Sequence, residues 1–294
     1  MLFINDGSPD NSGKICEDYA YKDCRIKVFH QKNKGVSSAR NIGIDNSIGK
    51  WVTFIDADDE FTVNCLEKCV NLLKNNLVDL IEYGCCILNK DMKNILFKYE
   101  ESDTIPIYDF WNTNYKNFAV WGHLFKLEHL NKYNIRFDEN LIMSEDRIFI
   151  FKYLCQTKYI SSTSVCGYLY RQHEDSVCHT NITLSKVNSQ IEAIKILVNY
   201  YQVLHKIENR DEIFTFLMDQ IIRNYIVFVA MFHEKEYIAI ASNEIFKVKL
   251  MSDKLNIKIK TLNYLTFNKN IFNLHIKYII LKMRLKQYLQ TIFH

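Results

Sequence analysis

Proline and glycine are scarce, two and eight in 294 residues. That excludes collagen-like and Pro/Gly-rich disordered chains, and it argues against long flexible linkers. No repeat or low-complexity tract is visible. The longest uninterrupted apolar run is YIVFVAMF, residues 225–232. A membrane-spanning helix needs roughly 18 residues, so the chain is not expected to cross a bilayer. Nine cysteines form no C-x-x-C pair; Cys85 and Cys86 are adjacent, and Cys65 and Cys69 sit at helical spacing. Thiolate metal sites are therefore not expected. No signal peptide opens the sequence, since Met1 leads straight into LFIN and a turn. The expectation is a cytoplasmic protein with free, mostly buried thiols.

What remains is ordinary globular material, 48% hydrophobic and 24% charged, enough to bury a sizeable core. The net charge of +3 conceals an asymmetry. Residues 251–294 hold seven Lys, one Arg and one Asp, a net of +7, which leaves −4 for the rest. The basic end is interleaved with Ile, Leu, Phe and Tyr. It suits either an anionic membrane surface, as a peripheral contact at the inner face of the cytoplasmic membrane, or a solvated helix face. Nucleic-acid binding is disfavoured because the remainder is slightly acidic.

Residues 1–84 alternate strand and helix signals. LFIN, IKVFH, WVTFID and VDLIEYGC read as strands. Residues 12–21, SARNIGIDNSI and VNCLEKCVNLLKNN read as helices, the first capped by Asn11 or Ser12 and the last with Val63, Leu66, Val70 and Leu73 on one apolar stripe. This alternation predicts an α/β fold with a mainly parallel sheet and helices on both faces. ILNKDMKNILF reads as a hairpin, SEDRIFIFKYLCQ as a helix, and VCGYLYRQH as a strand entering a loop. Helical patterns dominate beyond about residue 183. The expected division is 1–180 and a mainly helical 181–294.

FIDADDE, residues 54–60, crowds Asp56, Asp58, Asp59 and Glu60 behind an apolar strand. Ligands bind at the carboxyl edge of open α/β sheets. On a continuing strand Asp56 and Asp58 would point the same way. Two close carboxylates tolerate each other around a cation, and oxygen ligands suit Mg²⁺ or Mn²⁺, which takes phosphate oxygens as further ligands. The alternative is that Asp59 caps the next helix and the others are solvated. Ser37 and Ser38 read as caps of a helix whose N-terminus favours an anion, with Arg40 adding positive charge. Arg40 as an exposed helix arginine stays open, as does SED at 144–146 as acids that merely favour a first helical turn.

The run from INDGSPDNS through SSARNIGIDNSIGKWVTFIDADDEF resembles the nucleotide-binding half of the family 2 glycosyltransferases of GT-A fold. VWGHLFKLEHLNKYNIRFDENLIMSEDRIF and YRQHEDS resemble the acceptor half of the bacterial polysaccharide-building members. The likeness covers about residues 1–180. It implies a metal-dependent, inverting transfer of a sugar from a nucleotide-diphosphate donor, usually UDP-linked. The acceptor would be a glycan or a lipid-linked molecule. Asp56 and Asp58 match the D-x-D motif, with Asp58 as metal ligand and Asp56 near the ribose. Asp6 matches the acid that reads the base, and Arg40 a basic residue lining the nucleotide pocket. Asp146 matches the catalytic base, with Glu145 second. Arg171 and His173 would lie over the diphosphate, and Trp121 would wall the acceptor. Two departures stand out. Gly122-His123 replaces a common Asn-Lys, and the usual first strand, loop and helix, roughly 30 residues, is expected to be absent. A nucleotide-sugar or partner-binding module impaired for catalysis is the competing reading, with a metal-dependent phosphohydrolase a third.

Overall fold

The structure is a computed structural model, and it describes residues 1–73, 77–89, 92–107, 109, 117–172, 183–204, 211–232, 235–254, 276 and 278–279. The chain divides into two units. One comprises Met1–Glu139 and Glu145–His179; the other comprises Asn140–Ser144 and Thr180–His294.

The first unit begins with β1 (Leu2–Asn5), α1 (Ser12–Lys22), β2 (Lys27–His30) and α2 (Val36–Asp45), close to where the sequence places them. β1 and β2 pair in parallel as a sheet of their own. Asn11 occupies the cap position of α1, but its side chain makes no capping bond; Asp10 instead accepts from the Ser12 amide. The cap of α2 is Gly35, at φ +91°, a conformation that favours glycine. Ser37 and Ser38 are therefore inside the first turn rather than capping it, and both are buried.

The second sheet has seven strands, in the order β3-β8-β5-β9-β4 with β6 on β5 and β7 on β9. Its strands are β3 (Trp51–Val52), β4 (Glu60–Phe61), β5 (Leu80–Asn89), β6 (Met92–Phe97), β7 (Ser102–Pro106), β8 (His123–Lys126) and β9 (Tyr159–Arg171). The architecture is α/β with flanking helices, and the sheet is mixed. β1–β2 and β5–β9 are parallel, while the other five described pairings are antiparallel. WVTFID is not a long parallel strand. Only Trp51 and Val52 pair, antiparallel to β8. Side chains hold the next two residues in place. Thr53 shares a hydrogen bond with the buried Tyr83 hydroxyl, and Phe54 packs edge-on against Phe125, Phe137 and Phe149.

Among the described residues this unit holds three more helices: α3 (Cys65–Leu72), α4 (Leu127–Lys132) and α5 (Glu145–Leu154). The expected stripe of α3 is corrected. Val63, Leu66 and Val70 are exposed, Val63 fully, and only Leu73 of the four packs partly against the core, while Cys65 and Cys69 are buried completely. The reason is the closeness of β9. A Cβ added at Gly167 would lie 2.3 Å from Cys65 Sγ and 2.7 Å from Tyr83 Cδ2, leaving no room for a larger side chain on that face. Two further cysteines depart from the expectation of free thiols: Cys86 of β5 and Cys166 of β9 form a disulfide. Cys16, Cys24, Cys65, Cys69, Cys85 and Cys155 are free.

The second unit contains α6 (Leu184–Leu204), α7 (Asp211–Phe232) and α8 (Lys235–Lys254). Tyr201 and Phe214 stack with centroids 4.1 Å apart between α6 and α7. The segment Asn140–Ser144 is fastened to α6: Ser189 Oγ accepts from the amides of Ile142 and Met143 and donates to the Met143 carbonyl, while Ser144 Oγ donates to Gln190. Apart from residues 276, 278 and 279, the basic end beyond residue 254 lies outside the described residues. Among the described residues no helix is long and apolar enough to cross a membrane.

Gly167→Ala should lower stability by about 2 kcal/mol, the usual cost of overpacking a filled core, read as a lower urea midpoint. Adding Cys65→Ala should restore part of the loss. An unchanged midpoint for Gly167→Ala would show that α3 is not wedged against β9.

Candidate active site

Arg40 is the hub. It lies in the middle of α2, with a side chain only 11% exposed and its guanidinium carbon 5.4 Å from the centre of the Phe137 ring. Nη2 donates to Asp56 Oδ1 at 2.9 Å, Nη1 donates to Asp146 Oδ1 at 2.6 Å, and Glu145 Oε1 lies 3.6 Å from Nη1. One guanidinium thus serves three carboxylates drawn from α2's neighbours in space, residues 16 and about 105 positions away in sequence. The reading of Arg40 as an exposed arginine is overturned. Aromatic packing sets these distances. Phe54 precedes Asp56 by two residues, Phe149 follows Asp146 by three on α5, and Phe137 stacks on Phe149 at 4.0 Å beneath the guanidinium.

Burial disfavours the charge on Arg40, but Asp146, Asp56 and Glu145 outweigh it and hold its pKa above the ordinary value. The acids respond to the same crowding. Burial first, then the charge of Asp146, pushes Glu145 up to about 7. Burial also raises Asp146, and Asp56 adds to the rise, against the pull of Arg40 and the Val120 amide. A proton taken up here belongs to the pair rather than to either acid alone. Both sit in the first turn of α5, where the helix dipole favours negative charge.

The acidic turn separates its carboxylates by role. The Asp59 amide donates to the Asp56 carbonyl at 3.1 Å and closes the turn, so the strand alternation expected for Asp56 and Asp58 does not apply. Asp56 faces Arg40, and Asp58 is exposed. Asp59 is buried, accepting from the Tyr168 hydroxyl on Oδ2 at 2.5 Å and from the Arg171 amide on Oδ1 at 2.8 Å. It does not cap α3, whose cap position is held by Asn64. Burial raises the Asp59 pKa against those two hydrogen bonds. Glu60 pairs with the Arg171 side chain, both exposed.

The other expected site residues divide. Asp6 is committed to the loop before α2: Oδ1 accepts from Gln31 Nε2 and the Lys34 amide, and Oδ2 from the Gly35 amide. It thereby fixes the cap of α2, five residues upstream of Arg40. Ser38 donates to Gln31, while the buried Ser37 hydroxyl has no partner among the described residues. Trp121 stacks on Tyr168 at 5.1 Å and on Tyr170 at 5.8 Å. His173 lies outside the described residues. Sequence reasoning missed Tyr168 and the buried role of Asp59. The signal was the alternation of Tyr168 and Tyr170 just before Arg171, read only as a strand.

Among the described residues no three His, Cys, Asp or Glu side chains form a ready metal cage. Asp58 and the second oxygen of Asp56 nevertheless offer hard oxygen donors. A cluster with three acids on one guanidinium also carries surplus negative charge. That suits a divalent ion which keeps waters and takes its remaining ligands from a phosphate.

Residues 1–137 match the family described as Glycosyl transferase family 2. The chain is 29% identical over 184 residues to the uncharacterized glycosyltransferase EpsJ of Bacillus subtilis, covering 60% of this chain and 54% of that protein. It is 27% identical over 209 residues to the glycosyltransferase GlyG of Streptococcus pneumoniae, covering 65% and 67%. It is 27% identical over 223 residues to the cholesterol galactosyltransferase of Borreliella burgdorferi, covering 71% and 62%. The chain thus spans about half to two thirds of these relatives. Among solved structures, S. aureus TarS 1-349 in complex with UDP-GlcNAc superposes with a TM-score of 0.72 at 15% identity, over 97% of this chain and 82% of that one. The fold is GT-A. Residues 1–137 are the part similar to family 2 glycosyltransferases.

Glu145 has a folded pKa near 7 against an ordinary value of 4.5. Between these values the folded state holds more protons than the unfolded one, so wild-type stability should fall as pH rises through that window. Glu145→Gln should remove that fall and gain on the order of 2 kcal/mol over wild type above pH 7, with no gain below pH 4.5. Urea midpoints across pH 4 to 8 that stay parallel would overturn this account.

Proposed function

We propose that the protein is an inverting glycosyltransferase moving a sugar from a nucleotide-diphosphate donor, a UDP-sugar, to a hydroxyl of a glycan or lipid-linked acceptor in bacterial surface polysaccharide synthesis. The observation that carries this reading is the convergence of Asp56, Glu145 and Asp146 on Arg40. Support for the donor comes from the TarS structures, whose bound molecules are UDP-GlcNAc and UDP.

In the reaction the acceptor oxygen bonds to the anomeric carbon as the bond from that carbon to the diphosphate oxygen breaks. The acceptor proton passes to Asp146. A base works best when ionised yet basic near the working pH, and a raised pKa beside a cation meets both demands. Glu145 stands second to Asp146 as the base, with its carboxylate 3.6 Å from the same Arg40 Nη1. Arg40 orients Asp146 and Asp56 together, tying the base to the donor-side turn. Asp58 and Asp56 would hold Mg²⁺ or Mn²⁺, which supplies charge neutralisation for the departing diphosphate when bound. Asp6 sets the start of α2, and Arg171 and His173 belong to the diphosphate side in this reading. Trp121 offers an aromatic surface for the acceptor. The basic C-terminal end would hold the enzyme at the cytoplasmic membrane face, near a lipid-linked acceptor.

A second reading, a nucleotide-sugar-binding module without turnover, is favoured by one observation: β1–β2 forms a separate sheet, and β3 is only two residues long.

Wild type with Mn²⁺ should release UDP from a UDP-sugar. Asp146→Asn should lower kcat by about 10²- to 10⁴-fold, the usual worth of a general base, with UDP affinity little changed. Asp58→Asn should instead weaken metal-dependent UDP binding. Wild-type binding without turnover would establish the module reading; turnover undiminished in Asp146→Asn would remove Asp146 from the chemistry.

A further inference from the structure

Tyr168 is a fully buried tyrosine in the β9 segment that follows Gly167. Its hydroxyl donates to Asp59 Oδ2 at 2.5 Å and accepts from the Asp56 amide at 3.2 Å. A single oxygen therefore ties the backbone of the first acid of the turn to the carboxylate of Asp59. The ring is fixed from its own side. Trp121 stacks on it nearly parallel, at 10°, and Phe61 meets it edge-on at 5.9 Å. β9 also grips the turn further along: Tyr168 is in register with Phe61, Leu169 with Glu60, and the Arg171 amide donates to Asp59. Asp58 lies between these two fastened ends and faces solvent.

We propose that Tyr168 is a positioning residue that sets the shape of the acidic turn, so that Asp56 and Asp58 present their oxygens to one metal–diphosphate group. The inference rests on the metal-dependent donor binding proposed above and assigns the residue that prepares it. A phenylalanine would fill the same space and keep the Trp121 stack. It would leave the Asp56 amide and one Asp59 oxygen without their shared partner. The turn would relax at both ends, and the two metal-facing carboxylates would lose their fixed separation. Binding energy that had gone into the metal would then go into reordering the turn. Nucleotide contacts made outside the turn do not depend on this tie and should be kept.

Calorimetry on the full chain separates these effects. Tyr168→Phe should bind UDP with Mn²⁺ about ten-fold more weakly, the scale of one lost hydrogen bond to a charged group. Its affinity for UDP without metal should stay within about two-fold of wild type, a split that a merely structural role would not produce. NMR exchange of the Asp56 amide, without any ligand, should quicken in the variant. Asp59→Asn should weaken Mn²⁺-dependent binding in the same direction, and the double variant should be no worse than the poorer single one. Asp59→Asn alone carries the test if Tyr168→Phe fails to fold. Wild-type affinity and unchanged Asp56 exchange in Tyr168→Phe would overturn the proposal, as would equal loss of UDP with and without metal. If wild type itself binds no Mn²⁺·UDP, the donor reading falls, and unchanged Asp56 exchange would still overturn the Tyr168 tie independently.

Discussion

The contact on which the site depends is the guanidinium of Arg40 against three carboxylates. Asp56, Glu145 and Asp146 come from different parts of the chain and would repel one another in the same partly buried space. At close range each such repulsion costs several kcal/mol even at an effective dielectric of about 20. A lysine could not replace the arginine. The planar fork reaches two acids with separate N–H groups while its face rests over Phe137, and a point charge offers neither. Removing the guanidinium would leave buried acids without compensation, the costly way to break an ion pair. The crowding is visible in the upward shift of both Glu145 and Asp146, which burial and a neighbouring acid push toward the neutral form against the pull of Arg40.

The acidic turn obeys the same logic one step outward. Four acids in five positions look intolerable as a string of letters, but the fold gives each a different environment. Asp56 leans on Arg40, Asp59 is buried under the Tyr168 hydroxyl and the Arg171 amide, and Glu60 meets the Arg171 side chain at the surface. Asp58 alone is left exposed without such a partner in this turn. Charge is thus neutralised wherever the turn must be rigid and left available at Asp58, the exposed acid of the turn that meets no such partner. Phe54 secures this from below, through three edge-on aromatic contacts two residues before Asp56.

Much of this was legible in the sequence, and the remainder was hidden for physical reasons. Strand–helix alternation located β1, α1, β2 and α2, because each is short, local and bounded by polar turns. The hairpin of β5 and β6 and the start of α5 at Glu145 were legible for the same reason. Arg40, Asp56 and Asp146 were singled out separately, but their convergence was not, because Arg40 and Asp146 are 106 residues apart. WVTFID misled because side chains rather than strand pairing hold it beyond Val52. The stripe of α3 misled because apolar periodicity assumes that the largest side chains go inward. Here the space is set by a glycine on β9, and cysteines fit where Val and Leu do not. Tyr168 was invisible because nothing in a strand sequence says which hydroxyl will meet a carboxylate.

The same kind of non-local support explains an unfavourable backbone conformation at Ser144. Ser144, the residue before Glu145, sits at φ +67°, in the left-handed region that side chains other than glycine enter at a cost. Such a conformation persists only where its surroundings over-determine it. Ser189 and Gln190 of α6 do so, meeting the amides of Ile142 and Met143, the Met143 carbonyl and the Ser144 hydroxyl. The segment Asn140–Ser144 is therefore fixed by side chains some 45 residues downstream. The sequence offers no motif in this helical unit, and nothing local in ENLIMS announces that its conformation depends on a serine and a glutamine of a later helix.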